Sequence, residues 1–158
     1  LAGLGYHVSG WARSEKQLPG VRCYHGDAQA GEFFAELDAL INVLPLTEQT
    51  RGILARPLLD RLPAGAVLIN CGRGEHMVNH DILQALDSGR LAGAVLDVFP
   101  VEPLPQDDPL WLHPQVVITP HMASIAPAEV IARQLLENIH RQQRALPLNN
   151  LVDKQRGY

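Results

Sequence analysis

Short apolar runs alternate along the chain with segments whose apolar positions recur at helical spacing. The runs predict strands over 6–11, 21–24, 39–43, 66–70, 93–97 and 116–119, most of them bounded by Gly, Pro, Asn or Asp. Between them the period lengthens to that of amphipathic helices over 28–37, 55–62 and 81–88, and a longer helix is expected over 128–144. The helix over 81–88 carries the fullest set of signals: Ile82, Leu83 and Leu86 share a face, Asn79 stands where a cap is needed, and Gly89 stops it. Alternating strands and helices are the pattern of βα units. The runs Val67-Leu68-Ile69 and Ala94-Val95-Leu96 are apolar without alternation, as strands covered on both faces must be. The expected fold is therefore α/β, a doubly wound parallel sheet.

The opening residues Leu1-Ala2-Gly3-Leu4-Gly5 read as the last turn of a helix with a glycine stop feeding a strand, so the chain is expected to start inside an element. Prolines at 100, 103, 105, 109 and 114 rule out regular structure over 99–114 and predict a long loop. The end, 145–158, is a polar tail. With 158 residues, 46% of them hydrophobic, the chain can bury one real core. Its formal net charge of -4 argues against nucleic acid or an anionic membrane as partner. No apolar stretch reaches the roughly 18 residues of a membrane span, and the start lacks a basic leader pattern, so a cytoplasmic protein is expected. Cys23 and Cys71 form no C-x-x-C pair and the His residues miss zinc-ligand spacing, so no metal is expected.

Three polar groups stand at the carboxyl ends of consecutive predicted strands. They are Cys71-Gly72-Arg73-Gly74, then Asp97 with Glu102 beyond it, then Pro120-His121. In an open α/β sheet all three face one crevice. Taken singly, each reads more simply as a solvated charge or a histidine bonded to backbone. Taken together they read as a site: an arginine fork suits a carboxylate, and a carboxylate beside a histidine fixes the ring for proton transfer.

The blocks Leu44-Pro45-Leu46-Thr47 with Thr50, Asn70-Cys71-Gly72-Arg73-Gly74, the run 96–105 and Thr119-Pro120-His121-Met122-Ala123-Ser124 resemble the signature blocks of the D-2-hydroxyacid dehydrogenases. They cover most of the chain in order. The later residues, Pro109-Leu110-Trp111, His113-Pro114 and a final Arg156-Gly157-Tyr158, are most similar to the bacterial glyoxylate/hydroxypyruvate reductase branch. The resemblance implies that Arg73 holds the carboxylate of a small 2-oxo acid, Glu102 pairs with the catalytic histidine, and His121 is that histidine. It implies that Asp97 bonds the nicotinamide carboxamide, that Leu44 and Pro45 pack near the adenosine half, and that Thr50, Cys71, Gly72 and Ala123 lie on the cofactor side. It also implies a homodimer.

Cofactor choice is argued from Trp11-Ala12-Arg13-Ser14-Glu15-Lys16. An NAD site places a carboxylate at the strand end for the ribose hydroxyl, whereas cations there suit the 2′-phosphate of NADP. Arg13, Ser14 and Lys16 favour NADP(H); NAD(H) stays open through Glu15. The glycine-rich turn that receives a pyrophosphate is not seen, since Gly3 and Gly5 precede a strand rather than follow one. The expected division is an incomplete dinucleotide-binding domain over 1–146, lacking its first strand and glycine-rich loop, and a segment over 147–158 returning to a substrate domain outside this chain. Two rivals stand beside the reductase: an NAD-linked phosphoglycerate or lactate dehydrogenase of the same family, and a non-catalytic, corepressor-like relative.

Overall fold

Runs of Val, Ile, Leu and Ala that cannot be left in water pair side by side, and every strand pair that results is parallel. The computed structural model describes residues 1–153. Its strands are β1 (Val8–Ala12), β2 (Val21–His25), β3 (Ala39–Asn42), β4 (Ala66–Asn70), β5 (Leu91–Leu96) and β6 (Val116–Ile118). They form a two-stranded sheet, β1-β2, and a four-stranded sheet, β3-β4-β5-β6. The expected sheet is thus divided. β1 and β3 do not pair; together they wall a cavity of about 200 Å³ that includes Ser9, Gly10, Trp11, Ile41 and Val43, with Phe33 and Phe34 also in its lining. Strand order runs outward from this gap in both directions, which makes the gap the switch point of a doubly wound fold, where ligands bind at strand carboxyl ends.

Three helices add apolar side chains to the core beside the sheets. α1 (Gly26–Ala35) buries Ala30, Phe33 and Phe34, and the Phe33 ring lies 5.7 Å from that of Tyr24 on β2. α2 is only one turn, Arg56–Leu59, shorter than the 55–62 expected. Pro63 disfavours helical backbone at Leu62, although Leu59 and Leu62 are both buried in the core. α3 (Asn79–Asp87) buries Ile82, Ala85 and Leu86. Its expected cap is not used: the helix begins at Asn79 itself, the capping position is Val78, and Asn79 Oδ1 is buried without a partner among the described residues. Asp81 Oδ2 instead accepts the N–H of Arg56 at 2.8 Å, tying α3 to α2. Gly89 does end the helix, at φ +73°.

The first residues form a single 3-10 turn, Ala2–Leu4, closed by Gly5 at φ 87°. The proline-rich loop is not wholly irregular. It carries a 3-10 turn, Pro109–Trp111, started by Asp108 Oδ1 accepting the N–H of Leu110 at 2.9 Å, and it buries Leu110. α4 (Ala128–Gln143) buries none of its residues, and Ile131, Leu135, Leu136 and Ile139 are exposed. The chain then turns back along α4: Asn149 N–H donates to Asn138 Oδ1 at 2.8 Å, and Arg141 Nε donates to Pro147 O at 2.6 Å. The Arg156-Gly157-Tyr158 motif lies outside the described residues. Among those described, no helix is long and apolar enough to cross a membrane and no cluster of side chains is suited to hold a metal ion.

Candidate active site

β4, β5 and β6 are neighbours in the sheet and run the same way, so their carboxyl ends deliver Arg73, Asp97 and His121 to one edge. At that edge a cavity of about 620 Å³ is lined by Asp97, Phe99, Glu102, Leu104, Trp111 and His121, among others. Its walls are largely apolar, with a few converging polar groups, as small-molecule sites usually are.

Glu102 and His121 meet there. Glu102 Oε2 lies 2.8 Å from His121 Nδ1, and Oε1 accepts the N–H of Phe99 at 2.9 Å. The bond to His121 is the main reason the Glu102 carboxyl is held below its usual range, and the Phe99 N–H adds to it. A carboxylate on Nδ1 leaves Nε2 as the ring atom available to another group. His121 sits in the left-handed region, at φ 51°, which is uncommon outside glycine although histidine enters it more readily than most residues.

What holds it is Asp97. This carboxylate is almost fully buried, and both its oxygens are engaged by the His121 segment. Oδ1 accepts from Thr119 Oγ1 at 2.5 Å and from Met122 N–H at 2.9 Å; Oδ2 accepts from Ala123 N–H at 2.9 Å. Burial alone would raise the Asp97 carboxyl, but these three bonds outweigh it and keep the group below its usual value. Burial, with Asp97 close by, pushes the Cys71 thiol up, which keeps it protonated and argues against a nucleophilic role.

Arg73 is exposed, on extended backbone, with Nη1 donating to Gly72 O at 2.7 Å. Its loop abuts that of Glu102 through Gly74. A Cβ on Gly74 would fall 1.9 Å from Phe99 C and 2.3 Å from Pro100 N, so only glycine allows the two loops to close on one another.

The remaining cofactor-side candidates follow β1, β3 and β4. Arg13, Ser14 and Lys16 follow β1 directly and are exposed. Leu44 and Pro45 follow β3. Thr50 turns inward: its hydroxyl donates to Pro45 O at 2.7 Å and accepts the N–H of Thr47 at 2.8 Å, closing the 45–50 turn. Gly72 is buried, and a Cβ there would lie 2.7 Å from Asn42 Nδ2 and 2.9 Å from His76 Nδ1.

Those neighbours belong to a group that sequence reasoning missed. Asn42, Asn70 and His76 are all buried. Asn42 and Asn70 are register partners at the ends of β3 and β4, with Asn42 Nδ2 donating to Asn70 Oδ1 at 2.8 Å. Asn70 Nδ2 donates to Arg73 O and Gly72 N–H donates to Asn70 Oδ1, each at 3.1 Å. The available signal was that two apolar runs, Leu40-Ile41-Asn42 and Leu68-Ile69-Asn70, end alike on Asn.

Comparison with known proteins identifies the family. The family model for the D-isomer specific 2-hydroxyacid dehydrogenase NAD binding domain matches residues 1–123. Glyoxylate/hydroxypyruvate reductase A of Klebsiella pneumoniae is 46% identical over 155 residues, 98% of this chain and 49% of the relative. The crystal structure of a D-isomer specific 2-hydroxyacid dehydrogenase family protein from Klebsiella pneumoniae 342 superposes with a TM-score of 0.89 at 77% identity, covering 98% of this chain and 50% of that one. A second, the D-isomer specific 2-hydroxyacid dehydrogenase of Xanthobacter autotrophicus Py2 in complex with NADPH and MES, gives a TM-score of 0.95 at 44% identity over 99% of this chain and 65% of that one. The chain spans about half the length of the curated relatives it matches. It belongs to the D-isomer-specific 2-hydroxyacid dehydrogenases, as their NAD-binding domain.

Proposed function

We propose that the protein carrying this chain reduces a small 2-oxo acid, glyoxylate or hydroxypyruvate, to the 2-hydroxy acid with NADPH. The observation that carries the reading is the 2.8 Å bond between Glu102 Oε2 and His121 Nδ1 at the mouth of the strand-end cavity. A nicotinamide held here would be the source of the hydride for the carbonyl carbon. Glu102 fixes the ring, and His121 gives the proton on Nε2 to the carbonyl oxygen. Arg73, on the adjoining loop, holds the substrate carboxylate with its planar fork. Asp97 keeps the His121 segment in place. The donor set after β1 fits a phosphorylated ribose: Arg13 and Lys16 offer cations and Ser14 a hydroxyl, with no carboxylate at the strand end itself. The family resemblance assigns Leu44, Pro45, Thr50, Cys71, Gly72 and Ala123 to the cofactor, and the intact protein is read as a cytoplasmic homodimer.

The test is replacement of His121 by Gln in the intact protein. Turnover of NADPH with glyoxylate should fall by about a hundredfold or more, the usual worth of a general acid, while NADPH binding stays near wild type. A variant that keeps most of its turnover would remove His121 as the proton donor. Tighter binding of NADH than of NADPH by the wild type would return the cofactor assignment to NAD.

A further inference from the structure

We propose that His76 is a positioning residue that locks the Arg73 loop to the Pro45 loop, setting the substrate-holding arginine and the cofactor-side turn in one fixed relation. The proposal rests on the reductase reading above. His76 is completely buried, three residues after Arg73, and each ring nitrogen has a distinct task. Nδ1 faces two N–H groups, Asn42 Nδ2 at 2.9 Å and the backbone N–H of Arg73 at 3.1 Å. Nδ1 must therefore be the acceptor, which places the ring proton on Nε2. Nε2 lies 3.3 Å from Pro45 O and donates to it. The same carbonyl accepts the Thr50 hydroxyl at 2.7 Å, so the 45–50 turn is held from both sides. One ring thus spans the ends of β3 and β4, with the backbone of Arg73 on one nitrogen and the Pro45 turn on the other. Gly72 leaves room for it, since a Cβ there would meet both Nδ1 and Asn42.

The two tasks can be separated. Asn at 76 puts an amide oxygen where Nδ1 lies and reaches nothing at Nε2; Gln puts an amide N–H near Nε2 and leaves nothing at Nδ1. In the intact protein, His76→Asn should weaken NADPH binding, read by fluorescence titration, about tenfold and leave the glyoxylate KM within about twofold, as expected for loss of one buried hydrogen bond. His76→Gln should do the reverse, raising KM about tenfold with NADPH affinity near wild type. Thermal unfolding of both confirms that they fold. If the two variants change both constants alike, or change neither, the assignment is overturned. An Arg73→Gln variant separates this from failure of the underlying reading. If its glyoxylate KM is unchanged, Arg73 does not hold the substrate and the reductase reading fails first, whatever His76 does.

Discussion

His76 and Glu102 are driven to their protonation states by opposite means. Burial lowers the His76 ring below its ordinary value near 6.5, helped slightly by Arg73 and opposed by Glu75 and by the bonds to Pro45 and Arg73. The native ring is thus neutral at a pH where the unfolded one starts to protonate. The unfolded state then binds more protons, so the contribution is complete above pH 6.5 and is lost as pH falls from there through the lowered native value. Protonation would also put a hydrogen on Nδ1, between two N–H donors. Glu102 and Asp97 have lowered values too, but their ordinary values are 4.5 and 3.8, so their contributions persist to lower pH. Thermal unfolding followed from pH 8 to pH 5 should therefore show the advantage of wild type over His76→Asn shrinking below about pH 6.5, in the window set by an ordinary histidine. A gap that stays constant or widens towards acid would mean that His76 is not held neutral.

At the scale of elements, the site depends on how closely the loops after β4 and β5 approach. Gly74 against Phe99 is the tightest such contact, and a methyl there has backbone, not a flexible side chain, in its way. Gly74→Ala should cost about 3 kcal/mol or more in denaturant unfolding, at the upper end of overpacking penalties, whereas Gly3→Ala, with nothing within 4 Å, should change little. Equal costs would deny that the loops close on Gly74. The strands themselves were legible because buried parallel strands need continuous apolar runs: 66–70 came out as β4 to the residue. Helix ends were less so. Asn79 has the chemistry of a cap, but the backbone turns helical at Asn79 itself, because the β-bridge between Leu54 and Met77 fixes the chain just before it. His76 was invisible for a related reason. Between Glu75 and Met77 it reads as a loop histidine, and only the pairing of β3 with β4 brings Asn42 and Pro45 over it.

For the whole molecule, two surfaces fall outside what the periodicity of the sequence could disclose, because each concerns what an element lacks. The sheet is divided where β1 and β3 face a shared cavity without pairing, so each presents main-chain groups that no described strand satisfies. α4 is amphipathic, yet its apolar stripe, Ile131, Leu135, Leu136 and Ile139, meets no core. The gap is the switch point, where a dinucleotide would cross the sheet, and the His121 side chain is 51% exposed. Charge stabilisation around a group in that much water is screened. From these surfaces we predict that the 158 residues alone bind NADPH at least about tenfold more weakly than the intact protein, the loss expected when preorganisation of a site is removed. They should show no turnover with glyoxylate, and their exposed helix stripe should make them self-associate in sedimentation experiments. Measurable turnover by the isolated chain would mean that the divided sheet and bare helix have no bearing on catalysis.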